Sequence, residues 1–182
     1  KQAKYTLLDQ NTFWLCEKPD SVGMVGWDAA LTRIATWVKL QDKKTGQILM
    51  VVNTHFDHIG TEARRNSALL IIEKIKEIVG TSPAILTGDF NVSEDWDAYK
   101  TITNNEFILK DAHKVAGKRT GVDFTYHNFG KIPAEKCKKI DFIFVTPQIR
   151  VISSYIPFSQ LNDTLFLSDH NPEIVELEIE KS

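Results

Sequence analysis

Residues 48–55, Ile48-Leu49-Met50-Val51-Val52-Asn53-Thr54-His55, begin the stretch of sequence that decides the fold. The apolar run within it predicts a buried β-strand over Ile48–Thr54. A helix is predicted over Thr61–Val79, because apolar residues recur there at i, i+3, i+4 and i+7, and Gly80 is expected to end it. A second apolar strand is predicted over Ala84–Thr87. A strand, a helix and a strand in succession predict a crossover unit and therefore an α/β fold.

The segments on either side of this crossover predict further strands. The polar turn Asp42–Gly46 ends in glycine and lies between two apolar segments, so it predicts a hairpin. Hairpins are antiparallel, so the sheets are expected to be mixed. The remaining predicted elements are strands at Tyr5–Leu8, Phe13–Leu15, Arg33–Leu40, Lys139–Val145, Arg150–Ile156 and Ile174–Ile179, and a short helix at Trp96–Thr103. No repeat or linker marks a second domain, so residues 1–182 are expected to form one domain.

Composition and charge restrict the possible functions. The chain has 182 residues, 42% of them hydrophobic, which is enough for one core. A net charge of −2 gives no strong positive field, which disfavours a long nucleic-acid substrate. Cys16 and Cys137 lack a zinc-type spacing and are expected to be buried thiols. No apolar run approaches the roughly 20 residues of a membrane span, so a soluble protein is expected, in a compartment that the sequence leaves open.

Polar residues follow or interrupt four of the predicted strands. In layered α/β folds the loops at the carboxyl ends of strands usually build the functional site. The candidates, in chain order, are His55 after the first crossover strand, Asp89 and Asn91 after the second, Asp141 inside Lys139–Val145, and Asp169 and His170 before the last strand. Carboxylates, an amide and histidines without cysteine suit Mg²⁺ or Mn²⁺ rather than zinc. Phosphoryl transfer is the reaction that most needs such a set.

Asp141 must have a partner, because an ionised carboxylate in a half-buried strand is costly unless it is paired. The partner is either the backbone or a histidine such as His170, and an imidazole held by a carboxylate is a tuned base. Both interpretations stay open at this level.

The other candidates also have structural alternatives. Gly88–Asn91 contains the commonest turn formers, and His55 could be a satisfied, partly buried histidine. Asp57 and His58 look like residues that lead into the helix, with Gly60 or Thr61 near its N-cap.

Four short blocks of sequence carry a resemblance to a known family. They are Asn53-Thr54-His55, Gly88-Asp89-Phe90-Asn91, Ile140-Asp141-Phe142-Ile143-Phe144-Val145 and Ser168-Asp169-His170-Asn171-Pro172. In this order and spacing they resemble the signature blocks of the endonuclease/exonuclease/phosphatase (DNase I-like) family. Residues 26–37, from Gly26-Trp27-Asp28 to Ala35-Thr36-Trp37, resemble a bacterial subgroup whose members mostly lack an assigned substrate.

The resemblance implies a four-layer α/β/β/α sandwich of two mixed β-sheets and hydrolysis of a phosphoester assisted by Mg²⁺ or Mn²⁺. It also implies roles for the candidate residues. Asp169 would help to hold the metal, and His170, oriented by Asp141, would activate water. Asp89 and Asn91 would position the water, the leaving group and the phosphate, and His55 would donate to a phosphate oxygen. Arg33 and Trp27 would line the substrate pocket. Asp89 is the alternative candidate for the base.

Two blocks of the family have no counterpart in the sequence. A first strand that carries an Asn, and a later strand that ends in a metal-binding Glu, are not found upstream of Tyr5. We therefore expect a fragment of a longer chain, with a fold that is incomplete at its amino terminus and exposes sheet edges and apolar faces. Weak activity, or none, is expected of this chain alone.

Three functions are consistent with these observations. The first is a metal-dependent phosphodiesterase or phosphomonoesterase that acts on a small phosphoester, a nucleotide or a short nucleic acid. The second is a catalytically inactive binding module that retains the fold. The third is a nuclease proper, which the lack of a basic groove disfavours. No obligate protein partner is predicted, and substrate choice in this family depends on loops around a shared site.

Overall fold

The computed structural model describes residues 3–104, 109–162 and 165–179. Its strands are β1 (Tyr5–Trp14), β2 (Ile34–Asp42), β3 (Ile48–His55), β4 (Ala84–Asp89), β5 (Lys110–Asp111), β6 (Lys118–Gly121), β7 (Asp141–Val145), β8 (Ile149–Ile156), β9 (Gln160–Asn162), β10 (Leu165–Phe166) and β11 (Ile174–Ile179). Its helices are α1 (Thr61–Val79), α2 (Asp97–Thr103) and α3 (Ala112–Val115), with a 3-10 turn at Ala134–Lys136.

The larger sheet is mixed and has the strand order β1-β2-β3-β4-β7-β5. Strands β3 and β4 are parallel, as the predicted crossover requires, and every other pairing in this sheet is antiparallel. The prediction of two strands near the amino terminus was wrong. One strand, β1, runs along β2, with a bulge at Leu8 where the register shifts between Leu7 and Asp9, and the polar residues 9–12 pair regularly with β2.

Both faces of this sheet are covered by apolar residues. Met50 and Val52 of β3 belong to a buried core shared with α1 and α2, whereas Leu49 and Val51 belong to a second cluster shared with β8 and β11. This alternation follows from the two-residue period of a strand. Helices α1 and α2 therefore lie on one face of the large sheet, and the smaller sheet lies on the other.

The smaller sheet has the order β11-β8-β6 and is also mixed. Strand β11 is antiparallel to β8, and β6 is parallel to it. Two mixed sheets with helices outside the larger one confirm the predicted α/β sandwich. Within the described residues, the apolar side chains of β11 (Val175, Leu177 and Ile179) are only partly buried.

Helix α1 has the bounds that the sequence predicted, but its first turn is held from a distant loop. Its N-cap residue, Gly60, has no side chain to accept a hydrogen bond. Asp28 supplies that acceptor instead, since Oδ1 accepts from the backbone N–H of Ala63 at 2.6 Å and Oδ2 from that of Glu62 at 3.2 Å. A carboxylate at this position satisfies free N–H groups and opposes the helix dipole. The loop that contains Asp28 is thereby fixed beside α1.

The two thiols differ in exposure. Cys16 is buried, as predicted, whereas Cys137 is only half-buried at the end of the 3-10 turn, so that prediction was wrong for Cys137. No helix among the described residues has the length and apolar character needed to cross a membrane.

Candidate active site

Three candidate side chains lie in one row across the large sheet. His55 ends β3 and pairs in register with Asp89, which ends β4, and Asp89 pairs in turn with Asp141, which begins β7. The row arises because β3 and β4 are parallel, so their carboxyl ends meet at one edge, while β7 is antiparallel and starts there. Strand ends that are far apart in sequence thus place a histidine and two carboxylates side by side.

Asp141 and His170 form a close pair. His170 Nδ1 lies 2.7 Å from Asp141 Oδ2, and both side chains are about one-quarter exposed, at 25% and 26%. This hydrogen bond raises the pKa of His170, against the opposing effect of burial. The histidine partner is therefore present. With Nδ1 held by the carboxylate, Nε2 is the nitrogen left to exchange a proton with the cleft.

Asp89 carries negative charge that its neighbours compensate only in part. Its pKa is raised, first by burial and then by the nearby Asp141 carboxylate. Its Oδ2 lies 3.4 Å from His55 Nε2, but burial lowers the pKa of His55, so this imidazole is a weak source of positive charge. A carboxylate held near another carboxylate is a feature of functional sites more often than of structural ones.

The loop after β4 holds Asp89 in place. Asn91 donates its backbone N–H to Asp89 Oδ1 at 2.8 Å and its side-chain Nδ2 to the Phe56 carbonyl oxygen at 3.0 Å. It does so with a positive φ of 50°, a conformation that Asn tolerates better than most residues. Gly88 is required because a Cβ there would lie 2.2 Å from the Thr54 carbonyl oxygen of β3. These contacts explain the Gly88–Asn91 block as a turn that also presents a side chain.

The row opens into a cleft of about 760 Å³. Its lining includes His55, Asp89, Asp141 and His170, together with Asn53 and Thr87, which are joined by a 2.9 Å hydrogen bond from Thr87 Oγ1 to Asn53 Oδ1. The cleft is large enough for a small organic phosphate.

The remaining predicted site residues lie at different distances from this row. Asp169 adjoins His170, and its Oδ1 lies 3.3 Å from Ser168 Oγ. Arg33 lies close enough for its charge to contribute to the lowered pKa of His55, after burial and the opposing effect of Asp89. Trp27 lies elsewhere, beside a separate depression near Leu69. The structure therefore brings together His55, Asp89, Asn91, Asp141 and His170, and leaves Trp27 apart from them.

Asp57 is a residue whose role the sequence did not reveal. Its carboxylate accepts four backbone N–H groups, from Ala30, Leu31, Ile59 and Gly60, at 2.8 to 3.2 Å. It also lies 3.5 Å from Arg33 Nε. Burial would raise its pKa, but the backbone donors outweigh that effect and hold the pKa well below its usual range. Asp57 thus joins two loops next to His55, which goes beyond the predicted helix lead-in.

The donor atoms fit a hard divalent cation. Asp89, Asp141 and His170 each offer one ligand atom, and these atoms lie within 4.8 Å of one another. Carboxylate oxygens are the preferred ligands of Mg²⁺ and Mn²⁺. The pKa of Asp89 is raised first by burial and then by the Asp141 carboxylate, and a bound cation would oppose both effects. The identity of the metal stays a prediction.

Two mixed sheets pack together in this α/β fold, and an Asp–His pair and a further carboxylate lie at one edge of the larger sheet. The sequence model of the Endonuclease/Exonuclease/phosphatase family matches residues 7–170. The chain belongs to this family, whose members are generally hydrolases of phosphoesters.

Two proteins of known structure and one sequence relative support this assignment. An endonuclease/exonuclease/phosphatase from Bacteroides vulgatus is 63% identical, with a TM-score of 0.94 over 99% of this chain and 68% of that one. A mannosyl-6-phosphatase from Bacteroides thetaiotaomicron is 35% identical, with a TM-score of 0.88 over 98% of this chain and 69% of that one. An uncharacterised protein of Acanthamoeba polyphaga mimivirus is 30% identical over 91% of this chain. The chain spans 63% of the length of that viral protein.

Proposed function

We propose that this chain hydrolyses the phosphoester bond of a small molecule, with a divalent cation as its cofactor. The observation that carries the proposal is the 2.7 Å contact between His170 Nδ1 and Asp141 Oδ2, placed beside Asp89 at the floor of the cleft. A positioned imidazole can take a proton from water, and such general-base catalysis is typically worth 10²–10⁴-fold in rate.

Each of the candidate catalytic residues has a separate proposed role. His170 accepts the proton of the attacking water at Nε2, while Asp141 keeps the ring in one orientation and stabilises the imidazolium that forms. Asp89 and Asn91 position the water, the phosphate and the leaving group. His55, next to Asp89, donates a hydrogen bond from Nε2 to a non-bridging oxygen as charge develops on the phosphate.

A bound Mg²⁺ or Mn²⁺ would supply charge stabilisation at the phosphate. Asp169 would help to hold it, with the carboxylates of Asp89 and Asp141 as further oxygen donors.

The substrate class that fits best is a phosphomonoester of a small polar molecule. The net charge of −2 disfavours a long polyanion, and the cleft of about 760 Å³ suits a compact ligand. The likeness to the mannosyl-6-phosphatase supports testing sugar phosphates first. Arg33 stays a proposed contact of the substrate, whereas the position of Trp27 gives that residue no support.

The test is hydrolysis of sugar phosphates, p-nitrophenyl phosphate and bis-p-nitrophenyl phosphate with added Mg²⁺ or Mn²⁺. Residues 1–182 are assayed beside the longest polypeptide that the gene encodes, with His170→Ala as the inactive control. Metal-dependent turnover that is lost in His170→Ala is the expected result. Binding of phosphoesters without turnover in both proteins would favour the inactive binding module, and turnover of single-stranded nucleic acid alone would favour a nuclease.

A further inference from the structure

A buried ion pair lies next to the Asp141–His170 pair. Lys139 Nζ is 2.9 Å from Glu173 Oε2, and the side chains of Lys139 and Glu173 are only 6% and 3% exposed. Within the described part of the chain, Glu173 Oε2 has no well-aligned hydrogen-bond donor, and its contact with Lys139 is an ion pair. A buried pair of this kind costs desolvation and by itself is weak evidence for a gain in stability.

The same two residues flank the proposed catalytic pair in sequence. Lys139 precedes Asp141 by two residues, and Glu173 follows His170 by three. Lys139 Nζ also donates to the Asp141 backbone carbonyl oxygen at 3.0 Å. The Lys139 ammonium group therefore contacts the backbone of Asp141 and the side chain of Glu173, which lies in the same segment as His170.

Further contacts fix the position of this ammonium group. It lies over the Phe142 ring, 3.9 Å from the ring centre, and 3.9 Å from Asp111 Oδ1. Glu173 is held from its other oxygen, which accepts from Ser154 Oγ at 3.3 Å. Glu173 also lines the cleft, whereas Lys139 is not among its lining residues.

We propose that the Lys139–Glu173 ion pair is a positioning device that holds Asp141 and His170 at hydrogen-bond distance. The inference rests on the proposed function for its catalytic meaning. Asp141 and His170 come from a strand and a loop that are 29 residues apart, so a hydrogen bond between them needs both backbones fixed. The ion pair fixes both at one point, where its two side chains are almost completely buried.

The test is the ¹H NMR resonance of the His170 Nδ1 proton, which a short bond to a carboxylate shifts far downfield and shields from exchange with water. The resonance is assigned by its loss in Asp141→Asn. In Lys139→Met we expect exchange to be faster by at least about tenfold, within the range of couplings found in one buried network. Where the native protein hydrolyses p-nitrophenyl phosphate, turnover in this variant should show a lower kcat at nearly unchanged KM, because Lys139 does not line the cleft.

A second variant guards against the misfolding that an unpaired buried Glu173 could cause. Lys139→Met/Glu173→Gln leaves no charge unpaired within the ion pair, and the same increase in exchange is expected. Tyr99→Phe is the matched control, since it removes the 3.1 Å hydrogen bond of Tyr99 to Asp111 in the same buried region without touching the ion pair. In Tyr99→Phe the resonance of the His170 Nδ1 proton should persist.

Three results would overturn the inference. They are a resonance unchanged in both Lys139 variants, an equal loss in Tyr99→Phe, and the absence of any such resonance from the native protein. Because the readout does not require turnover, a resonance that behaves as expected in a protein without phosphoesterase activity would reject the proposed function and keep the positioning role.

Discussion

Asp57 lies in the loop after β3, and Asp89 is the last residue of the neighbouring strand β4, yet the surroundings of these two carboxylates are opposite. Asp57 accepts four backbone N–H groups and lies beside Arg33. Asp89 accepts one backbone N–H, from Asn91, and lies near a second carboxylate. The pKa of Asp57 is accordingly lowered and that of Asp89 raised.

The difference separates a structural carboxylate from a functional one. Asp57 has all its acceptor capacity used by the protein, so its charge stabilises the folded loops and is closed to a ligand. The negative charge of Asp89 is only partly compensated by its neighbours, and a cation or the protons of a substrate complex would compensate it further. Counting the donors around each acid distinguishes the two roles where residue type does not.

The largest effect is expected from Asp57→Ala. Four backbone N–H groups would lose their acceptor and Arg33 would lose its ion-pair partner. Breaking a buried pair in this way typically costs about 3–5 kcal/mol. Urea unfolding should show this decrease in the free energy of unfolding. A loss below about 1 kcal/mol would mean that water replaces the carboxylate and that the contrast with Asp89 is smaller than the contacts indicate.

The second effect is the converse, in Asp89→Asn. Activity in the presence of Mg²⁺ or Mn²⁺ should fall by about 10²–10³-fold, as when one stabilising group is removed from a transition state. The free energy of unfolding measured without divalent cations should be unchanged or higher, because the cost of burying the charge and its repulsion with Asp141 are both removed. A variant that unfolds more easily and remains active would reverse the assignment of the two acids.

Acid should act on Asp57 in a definite direction. Its pKa is lower in the folded protein than the ordinary value of 3.8, so the stability it contributes is present above that value and is lost as pH falls toward the folded pKa. The fall in unfolding free energy below about pH 4 should therefore be less steep in Asp57→Asn than in the native protein. Parallel curves would show that other carboxylates dominate acid unfolding.

The smallest effect is expected from His113, a buried histidine outside the cleft. Burial first, and then the charge of Lys139, lower its pKa below 6.5, while Nδ1 lies 2.8 Å from Ser154 Oγ. The unfolded chain takes up this proton first, so stability should decrease modestly as pH falls from about 7 through 6.5. His113→Gln should weaken that dependence in thermal unfolding scans, and an unaltered slope would contradict it.

The sequence predicted those features that depend on local pattern. The bounds of α1 follow from its apolar period and from Gly80, and the row of His55, Asp89 and Asp141 follows from polar residues at the strand ends. Asp28, Asp57 and Lys139 act through partners that only the folded chain brings near, so no local pattern marked them. The continuity of β1 escaped prediction because the polar residues 9–12 resemble an interruption between two strands, although they pair with β2.

The cap on α1 has a consequence for synthesis of the chain on the ribosome. Asp28 precedes Ala63 by 35 residues, so the acceptor for the first turn of α1 leaves the exit tunnel before the helix does. Domains generally fold from the amino terminus onward during translation. In a circular permutation that moved Asp28 behind Val79, the nascent helix would lack this cap until Asp28 had been made.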